Sequence, residues 1–239
     1  MADQALGLMA QNLTKRFTGS GSDVLALDGI NLEVPKGGFT SVIGPSGCGK
    51  STLLRILSDL IEPTTGQAEV NGKSPREARE AREFGVVFQA PNLLPWRTVL
   101  KNVTLPLQVM KVDRADRAKT ATDMLELVGL PGFERHHPWQ LSGGMQQRVA
   151  IARALSMQPS VLFMDEPFGA LDEITRDRLN LELIRIWAQT SATIMFITHS
   201  LTEAVFMSTQ VAVMSARPGR ITEVIDIDLP AERTAETRD

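Results

Sequence analysis

The string Gly44, Pro45, Ser46, Gly47, Cys48, Gly49, Lys50, Ser51, Thr52 restricts this chain more than any other feature. Glycines flanking a four-residue spacer, followed by lysine and a hydroxyl, let successive backbone N–H groups turn inward on one anion. The device works between a strand and a helix N-terminus, whose dipole adds partial positive charge. Both flanks comply. Phe39–Ile43 reads as a short buried strand. Residues 50–61 read as a helix with Leu53, Leu54, Leu57, Leu60 and Ile61 on one stripe, stopped by Pro63. In a nucleoside triphosphate site, Lys50 would bridge the β- and γ-phosphates, Ser51 would offer its hydroxyl to Mg²⁺, and Thr52 would add a donor on the α-phosphate side.

The rest of the chain repeats this alternation. Residues 85–88, 161–164 and 193–198 read as short apolar strands, and residues 142–156, 176–189 and 201–207 as helices. Strands alternating with helices predict an α/β fold with a mostly parallel sheet and functional residues at strand C-termini. Gln89, Asp165 and His199 all stand there. Residues 25–27, 30–34 and 67–70 read as short strands of a β layer, and residues 211–214 and 221–227 as a hairpin around Pro218-Gly219. From about residue 90 the character changes. Pro91, Pro95 and Pro106 punctuate a loop, residues 113–128 turn helical, and residues 129–140 form a second loop, together an inserted helical lobe. The charged run at residues 74–83 reads as a solvated helix or loop.

Bulk properties narrow the class. A chain of 239 residues, 43% hydrophobic and 22% charged, has ordinary globular composition. Its net charge of −3 argues against a protein that coats nucleic acid. The most apolar stretch, residues 99–110, is broken by Lys101, Asn102 and Pro106, short of the roughly 20 residues a span requires. No basic start precedes an apolar segment, so the expected location is cytosolic, with any membrane link through a partner. Cys48, the sole cysteine, fits a reducing compartment and reads as a small residue tolerated in a tight loop. His136 and His137 have no ligand partners at metal spacing.

Two further constellations carry chemistry. Asp165 and Glu166 end an apolar strand. At such a strand end one carboxylate holds Mg²⁺ and its neighbour can orient and deprotonate an attacking water. The second is Leu-Ser-Gly-Gly-Met-Gln-Gln-Arg at residues 141–148. Two glycines opening a helix weaken it, a choice that makes sense when that end must approach another body closely.

Taken in order, these strings resemble the ATPase subunit of ABC transporters over about residues 8–229. The resemblance implies a P-loop NTPase with a RecA-like parallel core, an N-terminal antiparallel β layer and an inserted α-helical subdomain. It implies one ATPase domain over 1–239, the core and layer covering about 1–89 and 156–239 and the helical subdomain about 90–155. Ser142, Gly143 and Gly144 would reach the γ-phosphate held by a second copy, with Gln146 beside the contact. Gln89 would touch Mg²⁺ and the attacking water, and His199 the γ-phosphate. Phe17 would stand against adenine without the hydroxyl of the usual tyrosine; the other reading is a core Phe of the β layer. Asp172 belongs to the loop that crosses the dimer, where Gly169 replaces a frequent serine. Catalytic roles then fall to Glu166, His199, Lys50 and Gln89, and metal contacts to Ser51, Gln89 and Asp165.

The implied activity is Mg²⁺-dependent ATP hydrolysis by a homodimer bound peripherally at the cytoplasmic face of a bacterial inner membrane. Integral permease subunits and a periplasmic solute-binding protein would complete the complex. Residues 86–107 and 211–221 look similar to the importer group for nitrate, sulfonates, taurine, bicarbonate and pyrimidine precursors. A non-transporting or lipid-handling membrane ATPase is the alternative, and an ABC ATPase acting on nucleic acid or ribosomes a remote one. Trp96 divides between docking a membrane subunit and packing within the lobe. Trp139 is expected to wedge the loop before residue 141, and Trp187 to pack in the core.

Overall fold

The computed structural model describes residues 5–19, 23–169, 171–230 and 233. Among the described residues, nine strands divide between two sheets. The first is antiparallel in the order β2-β1-β4, with β1 Leu6–Phe17, β2 Val24–Pro35 and β4 Thr65–Val70. The second runs β5-β6-β7-β3-β8-β9, from β5 Phe84–Val87, β6 Val161–Asp165, β7 Thr193–Ile197, β3 Phe39–Ile43, β8 Gln210–Met214 and β9 Ile221–Asp226. All its pairings are parallel except β8 with β9.

The parallel strands are nearly continuous apolar runs because both faces are covered; every residue of β6 and β7 is buried. One apolar cluster joins the antiparallel layer and α1 (Lys50–Leu57) to one face of the parallel sheet, through Leu8, Leu27, Leu53, Val161 and Met195. A second covers the other face with α6 (Gly143–Leu155), α7 (Glu173–Thr190) and the smaller helices of the inserted region. All parallel strands end on one edge, so the turns after β3, β6 and β7, which are adjacent, must converge there.

The architecture matches the expectation, and several elements differ from their sequence reading. Residues 25–34 form part of one twelve-residue strand rather than two short ones, bent at Gly29 with φ 60. Strand β1 was not legible, because Asn12 at φ 48 breaks its alternation; its N–H donates to Asn31 Oδ1 at 2.9 Å and the register slips there. Helix α1 ends at Leu57, four residues early. Asp59 adopts φ 53, and Leu60, expected inward, is 51% exposed.

The proline-rich segment is not all loop. It carries α3 Val99–Val103 and α4 Leu105–Val109. Thr98 caps α3 by accepting from Lys101 N–H, and Pro106 sits in the first turn of α4, where its missing N–H costs nothing. Buried Asn102 closes the preceding turn, accepting from Leu94 N–H at 2.7 Å and donating to the carbonyls of Leu94, Arg97 and Thr98. The charged run becomes α2 Pro75–Glu80, opened by a reciprocal capping box between Ser74 and Glu77. Two more helices complete the set, α5 Arg114–Leu127 and α8 Leu201–Met207.

Candidate nucleotide-binding site

A cavity of about 400 Å³ opens over the turn between β3 and α1. Ser46, Gly47, Gly49, Lys50, Ser51 and Thr52 line it together with Gln89, Glu166 and His199, and with Phe17, Val24, Ala26 and Arg217. The apolar members suit a planar base and the polar ones a polyphosphate. Phe17 is 43% exposed, with the Lys15 ammonium 5.2 Å from its ring centroid, which makes it a wall of the cavity rather than a core residue.

The loop is shaped by backbone that only glycine tolerates cheaply. Gly49 has φ 112, and a Cβ there would lie 2.6 Å from Leu27 Cδ2 and 3.0 Å from Ala26 O. Gly44, Pro45 and Cys48 stand behind the cavity surface. The Lys50 ammonium folds back on the carbonyls of Gly44 (2.8 Å) and Pro45 (3.2 Å), and Pro45 O also accepts from Cys48 N–H. The Cys48 thiol is buried against the apolar cluster beneath. Carbonyls holding a buried lysine are weak partners for a full charge, so a phosphate oxygen is the natural replacement.

Ser51 Oγ donates to Asp165 Oδ1 at 2.9 Å, joining residues 114 positions apart. A hydroxyl beside a carboxylate at the head of a phosphate loop is an all-oxygen set suited to Mg²⁺, so the residues fit the implied metal. Glu166 takes φ 47, held by its N–H donating to Ile197 O at 3.0 Å. That turn aims its carboxylate at His199, whose Nε2 lies 2.6 Å from Glu166 Oε1. The turn carrying His199 is braced from below: Thr198 donates to buried Glu203, and Ser200 Oγ accepts from Glu203 N–H to cap α8.

The segment at 141–148 lies elsewhere. Ser142, Gly143, Gly144 and Gln146 do not line this cavity. Ser142 caps α6, accepting from Met145 N–H at 3.3 Å, and both it and Gly143 are exposed. Gly144 has a reason within the chain that sequence reasoning missed: it is buried, and a Cβ would stand 3.1 Å from Thr175 Cγ2 on α7. Gln146 donates to Pro138 O and Leu141 O, holding the turn before the helix. Asp172 caps α7 through Thr175 N–H at 2.9 Å, and hydrogen bonds from Thr175 hold its carboxyl below the usual aspartate range.

Three residues outside the sequence reading bind these parts together. Gln147, buried on α6, donates to Phe88 O at 3.1 Å, one residue before Gln89. Arg153 on the same helix donates to Pro91 O and Asn92 O, both at 2.8 Å. Helix α6 thus grips both ends of the turn that carries Gln89. Arg217, from the turn after β8, lines the cavity and donates to Gly47 O. Polar residues inside an apolar helical stripe were the available signal for Gln147 and Arg153.

Of the tryptophans, Trp187 packs edge-on to Phe39 and donates to Gly37 O at 3.1 Å. Trp139 does not wedge its loop; it is exposed and stacks on His137. Trp96 is 72% exposed, which removes the lobe-packing alternative.

The family model described as "ABC transporter" matches residues 27–169. An uncharacterised ABC transporter ATP-binding protein of Methanocaldococcus jannaschii is 51% identical, over 95% of this chain and 85% of its own. The taurine import ATP-binding protein TauB of Rhizobium johnstonii is 46% identical, covering 92% and 82%. The aliphatic sulfonates import ATP-binding protein SsuB of Bacillus cereus is 43% identical, covering 93% and 86%. A bacterial ABC transporter cassette solved as a dimer superposes with TM-score 0.82 at 32% identity, covering 93% of this chain and all of that one. Its post-hydrolysis state bound to ADP and Pi gives 0.81 with the same identity and coverage.

Proposed function

The chain belongs to the ABC transporter family, and on that premise we propose that it is the ATPase subunit of an importer for a small polar solute of the sulfonate or taurine kind. ATP hydrolysis is the activity of the fold. The taurine and sulfonate importer names among the relatives support the solute class. One observation carries the catalytic reading: Ser51, which is bonded to buried Asp165 behind it, and the Glu166–His199 pair line a single cavity above the phosphate loop.

Glu166 is the general base, taking the proton of the water that attacks the γ-phosphate. His199, in contact with that carboxylate, holds it in place and reaches the same phosphate. Lys50 exchanges its carbonyl partners for β- and γ-phosphate oxygens. Mg²⁺, held by Ser51 and Asp165 with Gln89 nearby, would neutralise charge as it develops. Two copies pair head to tail, so that Ser142, Gly143 and Gly144 of each close the site of the other, with Gln146 and Asp172 flanking the seam. Preorganised donors of this kind supply most of the acceleration in phosphoryl transfer.

The chain acts as one ATPase domain, with residues of about 90–155 as its helical lobe. It sits on the cytoplasmic face of a bacterial inner membrane; among the described residues, no helix is long and apolar enough to cross one. Permease subunits dock near exposed Trp96, and a periplasmic protein selects the solute. Reconstitution with the membrane subunits tests this: Mg²⁺-dependent ATPase activity should rise with the binding protein and a sulfonate such as taurine. ATP turnover without solute accumulation would favour a non-transporting membrane ATPase.

A further inference from the structure

The turn between β8 and β9 packs against the phosphate loop and against β2 at once. Gly219 N–H donates to Ala26 O at 2.9 Å, and Gly219 O accepts from Asp28 N–H at 3.0 Å. Arg220 Nε donates to Asp28 Oδ2 at 3.0 Å. A Cβ on Gly219 would fall 2.1 Å from Cys48 O and 3.3 Å from Ala26 O, so glycine is what lets the turn close on the loop. The turn is therefore a fixed wall of the cavity rather than a free tip.

Arg217 is the side chain this wall presents. It lines the cavity beside Phe17, Val24 and Gly47. Its Nη2 and Nε donate to Gly47 O at 3.2 and 3.4 Å. No carboxylate of the described residues pairs with it, in contrast to Arg220. A guanidinium keeps its charge at any ordinary pH and has five N–H donors. Here a permanent cation, held by a single neutral carbonyl, stands at the rim of a site that receives a polyanion.

We propose that Arg217 is a further nucleotide-contact residue, its charge meeting the α- and β-phosphates on the Gly47 side of the loop. This rests on the ATP site described above. ATP and ADP share those phosphates, so the contact strengthens both and serves affinity rather than the chemical step. Because the group is solvent-exposed, the gain is modest, about three- to tenfold in affinity, and shrinks with salt.

The test is calorimetric titration of the full-length chain with ATP, ADP and AMP in Mg²⁺ buffer, at low and high ionic strength. Arg217→Ala should weaken ATP and ADP by about three- to tenfold at low salt and AMP by less. Arg217→Lys should recover part of the loss, and KM should rise with little change in kcat. Arg217→Gln gives the same readout if the alanine variant melts early. Equal affinities in wild type and variants overturn the proposal. So does a salt-independent loss that is the same for AMP, which would mean a base or packing contact. A fall in kcat at unchanged affinity overturns it too, in favour of a prop for the loop. Wild-type chain that binds no ATP would instead sink the preceding functional reading.

Discussion

The phosphate-loop region and the turn that opens α6 at residues 141–144, the signature turn, are built to opposite specifications. Around the loop, functional groups are already engaged: Lys50 with two carbonyls, Ser51 with Asp165, Glu166 with His199. At the signature turn, Ser142 and Gly143 are exposed, and among the described residues the serine side chain caps its own helix. One region meets its needs inside the chain; the other leaves a helix N-terminus exposed. On the proposed head-to-tail pairing, half of the catalytic apparatus would be internal and half offered to a second copy.

The largest expected effect probes the internal half. Glu166→Gln should lower ATP turnover by about 10²- to 10⁴-fold, the span usual for loss of a general base. Nucleotide binding should survive, and ATP-bound dimers should accumulate on size exclusion. Normal phosphate release from this variant would remove Glu166 from the chemistry.

The outward-facing half is probed by mixing. Lys50→Ala and Ser142→Arg should each be inactive alone. Co-assembled, they form dimers in which one site combines an intact loop with an intact signature turn, and part of the activity returns. If the mixture stays as inactive as its components, the two halves do not meet across copies.

The link between the regions is weaker but measurable. Gln147→Ala deletes the bond from this buried side chain to the part-buried Phe88 O, a cost of about 1 kcal/mol in urea unfolding. ATPase activity should fall as well, since Gln89 hangs from that carbonyl. Full stability would mean that the Gln147 bond adds nothing to the hold that Arg153 and packing give α6 on the Gln89 turn.

The smallest effect concerns the start of α7. The Asp172 carboxyl titrates below its ordinary range because Thr175 hydrogen-bonds its ionised form. A depressed folded value means the stabilisation is present above the unfolded value of about 4 and disappears as pH falls through the folded one. Thermal melts of wild type and Asp172→Asn should therefore differ slightly at neutral pH and converge in acid. A gap that persists in acid would assign the effect to something other than the charged cap.

Much of this was legible beforehand, for local reasons. Strands β3, β6 and β7 are short, buried and mostly apolar, and each leads into a residue whose chemistry is unusual at such a place, so position and function were read together. Elements that failed to read were those whose pattern is broken by a side chain serving another element. Asn12 interrupts β1 by bonding across to Asn31, and Asn102 draws the proline-rich stretch into a turn ahead of α3. Gln147 and Arg153 looked like ordinary polar residues of a helix, because their carbonyl acceptors lie some 60 residues away.

By itself the sequence determined the phosphate loop, the order of the strands along the chain and the chemical type of each group at their ends, since these depend on spacing and residue identity within short windows. The tertiary structure alone decided which strand ends are neighbours, that Ser51 meets Asp165 and Glu166 meets His199, and that Arg217 stands over Gly47. Those contacts join segments more than 30 residues apart. They exist because a parallel sheet gathers its C-terminal turns on one edge, a constraint that no single stretch of chain contains.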